Sequence, residues 1–381
     1  MTAGPTPIPP RVSQVMAEPV LYHRAPAFVE LYGSVLERLK GVFRTQNDVL
    51  TFAASGSGAM ESAVANLTAP GEPVLACAAG KFGERWIELA EAYGAEVVTY
   101  APAWGQRLDP AEIDRILGDH PQIAVVFATL SETSTGVVHD VRAIAEVARR
   151  HDCILAIDAV SGLGAAELRQ DEWGIDVVVA GSQKALMCPP GLAFASVSEK
   201  ALDFASERGN GGYYFDWAKT AKGQRKDPPD SPFTPAVTLF SALDVALEMI
   251  EEEGIEQVWA RHALLARATR AGVAALKLDL FGDPGENANV VTALQLPAGI
   301  DGGKVPGVLR RLGITANGGQ NQLKGKILRI AHCGYFGAFD ILTSLSALEM
   351  ALHELGHDVD HGVAVGAAQR VFVESPVPTA A

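Results

Sequence analysis

The sequence predicts an α/β fold, a mainly parallel sheet flanked by helices, followed by a smaller α+β domain. Three observations lead there. Short β-branched runs alternate with helical patterns before about residue 237, the signature of parallel βαβ units. Polar residues stand just after the carboxyl ends of successive apolar runs, the sheet edge at which open α/β folds bind ligands. Beyond about residue 237 longer helical patterns take over, interleaved with strand-like runs. The chain has 381 residues, enough for one large and one smaller domain. The expected organisation is an N-terminal arm over 1–20, a large domain over 21–255, a smaller C-terminal domain over 256–362 and a frayed tail over 363–381.

Each element has a local reason. The start, with four prolines within Met1–Pro10, reads as a proline-rich arm. In Asp109-Pro110-Ala111-Glu112, Asp109 can cap a helix, Pro110 suits its first turn and Glu112 completes a capping box. The helix predicted over 110–118 feeds an apolar strand, Ile123–Leu130. Asp140 caps the next helix, whose Val141, Ile144, Val147 and Ala148 recur at helical spacing. It leads into Cys153–Asp158, an apolar run ending in an acid, and a further run, Val177–Ala180, stops at Gly181-Ser182-Gln183-Lys184. Helical periodicity then covers 237–252 and the regions around 256–276, 301–312 and 339–354, with strand-like Val290–Leu296 and Ile327–His332 among them. Thr133, Asp158 and Lys184 thereby converge at one sheet edge although they are far apart in sequence.

Composition narrows the function classes. Hydrophobic residues make up 48% of the chain and charged ones 20%, which supports a sizeable core and argues against global disorder. A formal net charge of -14 argues against non-specific binding to nucleic acid or an anionic membrane. Cys77, Cys153, Cys188 and Cys333 form no CxxC pair, so they read as reduced thiols rather than a disulfide framework or a zinc site. The start lacks a basic-then-apolar run, and no apolar stretch is long enough to span a bilayer. The expectation is a soluble, cytoplasmic protein.

Six motifs carry candidate chemistry. Ser55-Gly56-Ser57-Gly58-Ala59-Met60-Glu61 directly precedes a helix whose buried face would be Met60, Ala63, Val64 and Leu67. Such a start offers free N–H groups to a phosphate, though an ordinary glycine-rich turn fits equally well. Glu61 stands in the last glycine position of GxGxxG, so the dinucleotide fingerprint fails. In Gly80-Lys81-Phe82-Gly83-Glu84-Arg85-Trp86, Phe82 either stacks on a planar ring or is a core aromatic at helical spacing with Trp86. Thr133 sits in the hydroxyl cluster Ser131–Gly136, a ligand contact or simply a turn. Asp158, if buried, needs a partner; a pyridinium N–H would serve, and so would a cap on the next turn.

Lys184 is flanked by small and apolar residues. Desolvation there would lower its pKa and suit Schiff-base formation, although most lysines are solvated surface groups. Arg329, in the alternating Lys326–His332, is either an inward fork for a substrate carboxylate or an exposed edge residue. His332 has no second metal ligand at usable spacing. No motif decides alone. Their order does more: cradle, aromatic, hydroxyl, acid, lysine, arginine.

In that order the sequence resembles the class V aminotransferases of pyridoxal 5'-phosphate fold type I, specifically the alanine/serine–glyoxylate (serine–pyruvate) group. The similarity runs from Pro5-Thr6-Pro7 and His23-Arg24-Ala25-Pro26 through Arg329-Ile330, and is most specific in Lys81–Trp86, Glu132–Val137, Asp158–Ser161 and Ser182–Leu186. The resemblance implies a seven-stranded sheet, pyridoxal phosphate as cofactor, and ping-pong transfer of an amino group from alanine or serine to glyoxylate or pyruvate. Aspartate or a ureide as donor, and lyase or desulfurase chemistry, are the alternatives it leaves. It implies Lys184 as the Schiff-base lysine and proton shuttle, Asp158 on the pyridine nitrogen, Val160 against the ring, Phe82 stacked over it and Thr133 on the ring's O3′. Ser57, Gly58, Ala59 and Gln183 would hold the phosphate, joined by Thr234 from the partner subunit of a homodimer, and Arg329 would hold the substrate carboxylate. The sequence departs from many relatives at Ser231, Asn317 and Asn321, around the cross-dimer phosphate contact and the substrate-side loop.

Overall fold

A computed structural model describes residues 1–208, 211–283, 285 and 288–375. The apolar runs of the first part become strands β1 (Asp48–Phe52), β2 (Pro73–Cys77), β3 (Glu96–Tyr100), β4 (Val125–Thr129), β5 (Ser131–Glu132), β6 (Val137–Val138), β7 (Ile154–Asp158), β8 (Val177–Gly181) and β9 (Ala193–Val197). Seven of them form one sheet in the order β1-β9-β8-β7-β4-β2-β3, and β5 pairs with β6 as a small hairpin. β9 runs antiparallel to both neighbours, and the other junctions are parallel.

The helices of this part are α1 (Pro10–Val15), α2 (Pro26–Phe43), α3 (Gly56–Leu67), α4 (Lys81–Ala92), α5 (Pro110–Asp119), α6 (Val141–Arg150), α7 (Gln170–Trp173), α8 (Glu199–Arg208), α9 (Trp217–Gln224) and α10 (Val237–Glu253). They cover both faces of the sheet, which is why its central strands read as continuous apolar runs rather than alternating ones. Along β7, Leu155 and Ile157 meet Tyr32, Ile144 and Leu243 on one side. Ile154 and Ala156 share the other side with Met60, Val64 and Trp217. Each large side chain buried in this way contributes about 1.5–3 kcal/mol.

The caps act where the sequence put them, with one exception. Asp109 accepts from the Ala111 N–H at 2.9 Å and Asp140 from the Ala143 N–H at 3.0 Å. Glu112 does not close the expected capping box; Arg115 takes its carboxylate at 2.6 Å instead. The arm is not uniformly extended either. α1 forms inside it and buries Val12, because Pro10 at the helix start needs no hydrogen bond there.

The second part contains α11 (Ile255–Ala275), β10 (Val291–Gln295), α12 (Val305–Arg311), β11 (Asn317–Gly318), β12 (Ile327–Ala331), α13 (Ala338–Glu354) and α14 (Val363–Glu374). Its strands form an antiparallel sheet in the order β10-β12-β11. The helix expected over 301–312 is split into a 3₁₀ turn at Gly302–Lys304 and α12. Residues 363–374, expected within the frayed tail, form α14 instead and bury Ala364, Ala367 and Ala368. Small residues let α14 lie close on its neighbours, and Glu349 accepts from the N–H groups of Gly362 and Ala364 at its start. Residues 376–381 of the expected tail lie outside the described residues. Among the described residues no helix is long and apolar enough to cross a membrane.

Candidate active site

The strand order brings the motifs to one sheet edge. Asp158 is the last residue of β7, and Lys184 stands three residues past the end of β8, its sheet neighbour. Thr133 follows β5 beyond the end of β4, Phe82 is in the first turn of α4 after β2, and Ser57, Gly58 and Ala59 open α3 after β1. Gly58 and Ala59 donate back to the Ser55 carbonyl at 2.8 and 3.2 Å; the first N–H groups of α3 lie outside the intrahelical ladder. Gly56 lets this helix start sit against Val160, since a Cβ there would lie 2.7 Å from a Val160 methyl.

Arg329 arrives from the second sheet. It is in the middle of β12 and only 5% exposed. Its Nε donates to the Gly318 carbonyl at 3.1 Å and its Nη1 to the Thr133 carbonyl at 2.8 Å. A guanidinium has five N–H donors, so three remain for a planar anion. The Thr133 contact ties the three-stranded sheet to the carboxyl edge of the seven-stranded one, at the residue that the sequence singled out.

Charges at this edge are held under tension. Burial raises the Asp158 carboxyl to about 6; the Val160 N–H, at 2.8 Å, works against that rise, Glu132 adds to it, and Arg85 and Lys184 oppose it. Burial likewise lowers the Lys184 ammonium, while Cys333 and Asp158 pull it up and Arg329 and Arg85 push it down. A lysine in that setting gives up its proton more readily than a surface one. Its Nζ donates to the carbonyl of Ala3. Phe82 is half-buried, with the Arg85 guanidinium carbon 5.2 Å from its ring centre, whereas Trp86 is the core aromatic, stacked on Phe127 at 4.7 Å.

Glu132 is the functional residue that sequence reasoning passed over. It is buried, and four donors converge on it: the N–H groups of Phe82 and Gly83 at 3.0 and 2.9 Å, and the N–H and hydroxyl of Ser134 at 3.1 and 2.5 Å. The carboxylate caps the positive end of α4 and locks Phe82 to the Thr133 turn. An acid among hydroxyls just after a buried strand was the available signal.

Two buried oxygens at this edge, Thr133 Oγ1 and Gln183 Oε1, have no hydrogen-bond partner among the described residues. Buried polar atoms are normally paired. A ligand with a phenolic oxygen, a ring N–H and an anionic group would meet donors and acceptors the chain already holds out. Thr234 is exposed, on a hollow with Phe52 and Ala53 at the carboxyl end of β1 and with Tyr214, Ser231 and Phe233. Cys188 and Cys333 are both buried, and burial pushes the Cys188 thiol up to about 12. Among the described residues no group of three His, Cys, Asp or Glu side chains is arranged to hold a metal ion.

Comparison with known proteins gives the same picture. A family model described as aminotransferase class-V matches residues 2–331. A Synechococcus protein called soluble hydrogenase, small subunit, is 41% identical over 98% of this chain and 97% of its own. The serine–glyoxylate aminotransferase of Methylorubrum extorquens is 36% identical over 99% of this chain and 96% of its own. The crystal structure of ureidoglycine–glyoxylate aminotransferase from Bacillus subtilis superposes with a TM-score of 0.93 at 33% identity, covering 98% of this chain and 97% of that one.

Proposed function

Because the chain belongs to the class V aminotransferases, we propose that it moves an amino group from a small amino acid, alanine or serine, to glyoxylate or pyruvate by a ping-pong mechanism. The observation that carries the reading is the pair of partnerless buried oxygens, Thr133 Oγ1 and Gln183 Oε1, at the edge that also holds Asp158 and Lys184. They fit pyridoxal 5'-phosphate if the Thr133 hydroxyl donates to its phenolic oxygen and the Gln183 amide is turned over, so that its NH₂ rather than its oxygen meets the phosphate beside Ser57, Gly58 and Ala59. When bound, the cofactor supplies an aldehyde for amines and an electron-withdrawing ring.

The residues then divide the work. Lys184 attaches the cofactor, and its Nζ, desolvated and poor at keeping a proton, is the base that moves the proton of the amino acid's α-carbon. Asp158 would accept from the pyridine N–H, which would give its buried carboxylate a cationic partner in addition to the Val160 N–H. Phe82 and Val160 hold the ring between them. Arg329 grips the α-carboxylate with the donors left free by Gly318 and Thr133. Thr234 is exposed in the single chain, so its phosphate contact requires a second copy, and the reading includes a cytoplasmic homodimer with the site at the subunit interface. A large domain over 21–255 would carry the cofactor, and a smaller one, from residue 256 and including α14, the substrate arginine. Desulfurase chemistry is less well supported, because Cys188 and Cys333 are buried rather than carried on an exposed loop.

Borohydride reduction followed by peptide mapping tests the core of this. The label is expected on Lys184 and lost in Lys184→Ala, with transamination of alanine or serine against glyoxylate lost too. A label elsewhere, or a fully active Lys184→Ala, overturns the assignment.

A further inference from the structure

The first residues of the chain lie on the reactive lysine. The Ala3 carbonyl accepts from Lys184 Nζ. Thr6 fixes the same segment from the far side, donating its N–H to the Gln183 carbonyl at 3.0 Å and its hydroxyl to the Lys184 carbonyl at 2.8 Å. Between them Gly4 has a φ of +123°, and a Cβ on it would lie 2.7 Å from Lys184 Nζ, so only glycine lets the chain pass this close. Ala3 is 6% exposed and packs in one cluster with Ala165, Ala185 and Ile330.

The other end of the segment is held by the substrate-side sheet. β11 pairs Asn317 and Gly318 with Arg329 and Leu328 of β12. The Met1 carbonyl continues that edge by accepting from the Ala331 N–H at 3.1 Å. Asn317 then reaches across, and its Oδ1 accepts from the Ala3 N–H at 2.9 Å. Asn317 lies directly opposite Arg329 in the β11–β12 register, so it connects the segment over Lys184 to the strand that carries the carboxylate fork.

We propose that Asn317 is a specificity-determining latch: it pins Ala3 and Gly4 as the wall of the substrate pocket and thereby limits the size of the amino donor. This rests on the transaminase reading. An amino acid with its carboxylate on Arg329 and its α-hydrogen facing Lys184 Nζ has its side chain beside the lysine rather than over it, and the segment flanking the lysine on the β12 side is Ala3-Gly4. An alanine or serine side chain is short enough to share this space. A branched or aromatic one has to displace the wall, at the expense of the Asn317 bond.

The experiment compares the wild-type holoenzyme with Asn317→Ala and Gly4→Ala. Asn317→Ala removes the acceptor, and Gly4→Ala forces the segment off Lys184 by a separate route. Amide exchange of the peptide covering residues 1–8 reads the latch without substrate; it is expected to quicken about fivefold in Asn317→Ala, the worth of one net hydrogen bond. The ratio of kcat/KM for leucine to that for alanine, both with glyoxylate, is expected to rise by about the same factor or more in both variants. Unchanged exchange in Asn317→Ala overturns the latch. Quickened exchange with an unchanged ratio overturns the specificity role. A wild-type protein that transaminates no amino acid overturns that role through the reading it rests on, and quickened exchange in the variant tells this failure apart from a failed latch.

Discussion

Replacing Asp158 by asparagine in the cofactor-free protein tests whether this carboxylate is built for a cationic partner. Asp158 is 4% exposed, and burial lifts its carboxyl from 3.8 to about 6. A folded-state value above the unfolded one means that the folded chain holds the proton more tightly. The stability this supplies is complete below about pH 4 and is lost as pH rises through about 6, a change of about 3 kcal/mol. Asparagine keeps the shape and the Val160 contact but does not titrate. Relative to wild type, the variant should therefore gain stability as pH rises, from near zero at about pH 4 to about 3 kcal/mol at about pH 7. With an unfolding entropy of about 2 cal/mol/K per residue, that is about 4 °C in Tm. Added pyridoxal phosphate should reverse the order at neutral pH, because on the proposed reading the ring N–H would form a charge-assisted bond with the carboxylate and only a weaker one with the amide oxygen. Thermal melts of both proteins across this range, with and without cofactor, measure it. Parallel pH curves for the two cofactor-free proteins would refute the argument.

Two further substitutions probe the neighbours. Arg329→Lys keeps the charge but replaces a planar five-donor fork with three donors on one nitrogen, so it cannot hold both carbonyls and still meet a carboxylate with two parallel bonds; kcat/KM for alanine should fall roughly a hundredfold, about the worth of one or two charge-assisted hydrogen bonds, while cofactor loading measured by absorbance is retained. Glu132→Gln leaves one oxygen for four donors and turns an NH₂ towards N–H groups. Stability should drop by about 2–3 kcal/mol in denaturant titrations, with weaker cofactor binding, and an unchanged protein would remove Glu132 from the positioning of Phe82 and Thr133.

Much of the fold was legible because it rests on local rules. Asp109 and Asp140 cap helices as their positions announce, and the apolar runs before Asp158 and Lys184 are adjacent parallel strands. The features that sequence misread depend on distant partners. Nothing local in Val363–Glu374 says that its alanines will be covered, since α11, on which it packs most, lies far upstream in sequence. Glu112 has two admissible partners within four residues, and the stronger one, Arg115, wins. The role of Glu132 needed the knowledge that α4 starts beside it, 49 and 50 residues upstream. Arg329 was recognisable as a strand residue, but that its fork half-engages the Thr133 turn follows only from how the two sheets meet.

The carboxyl end of β7 contrasts with its two faces. On both faces of β7 every position is apolar and covered, whereas its last residue is a carboxylate that burial drives towards its neutral form. Next to it stand a lysine drained of proton affinity by the same burial and two oxygens without partners. Each such group costs about 1–3 kcal/mol if left alone. A chain selected only for stability would replace them with apolar residues of similar size. On the proposed reading, a ligand that pairs with the carboxylate, the lysine and the Thr133 hydroxyl together would offset these costs, so the groups that weaken the cofactor-free protein would be the ones that favour the cofactor-bound fold.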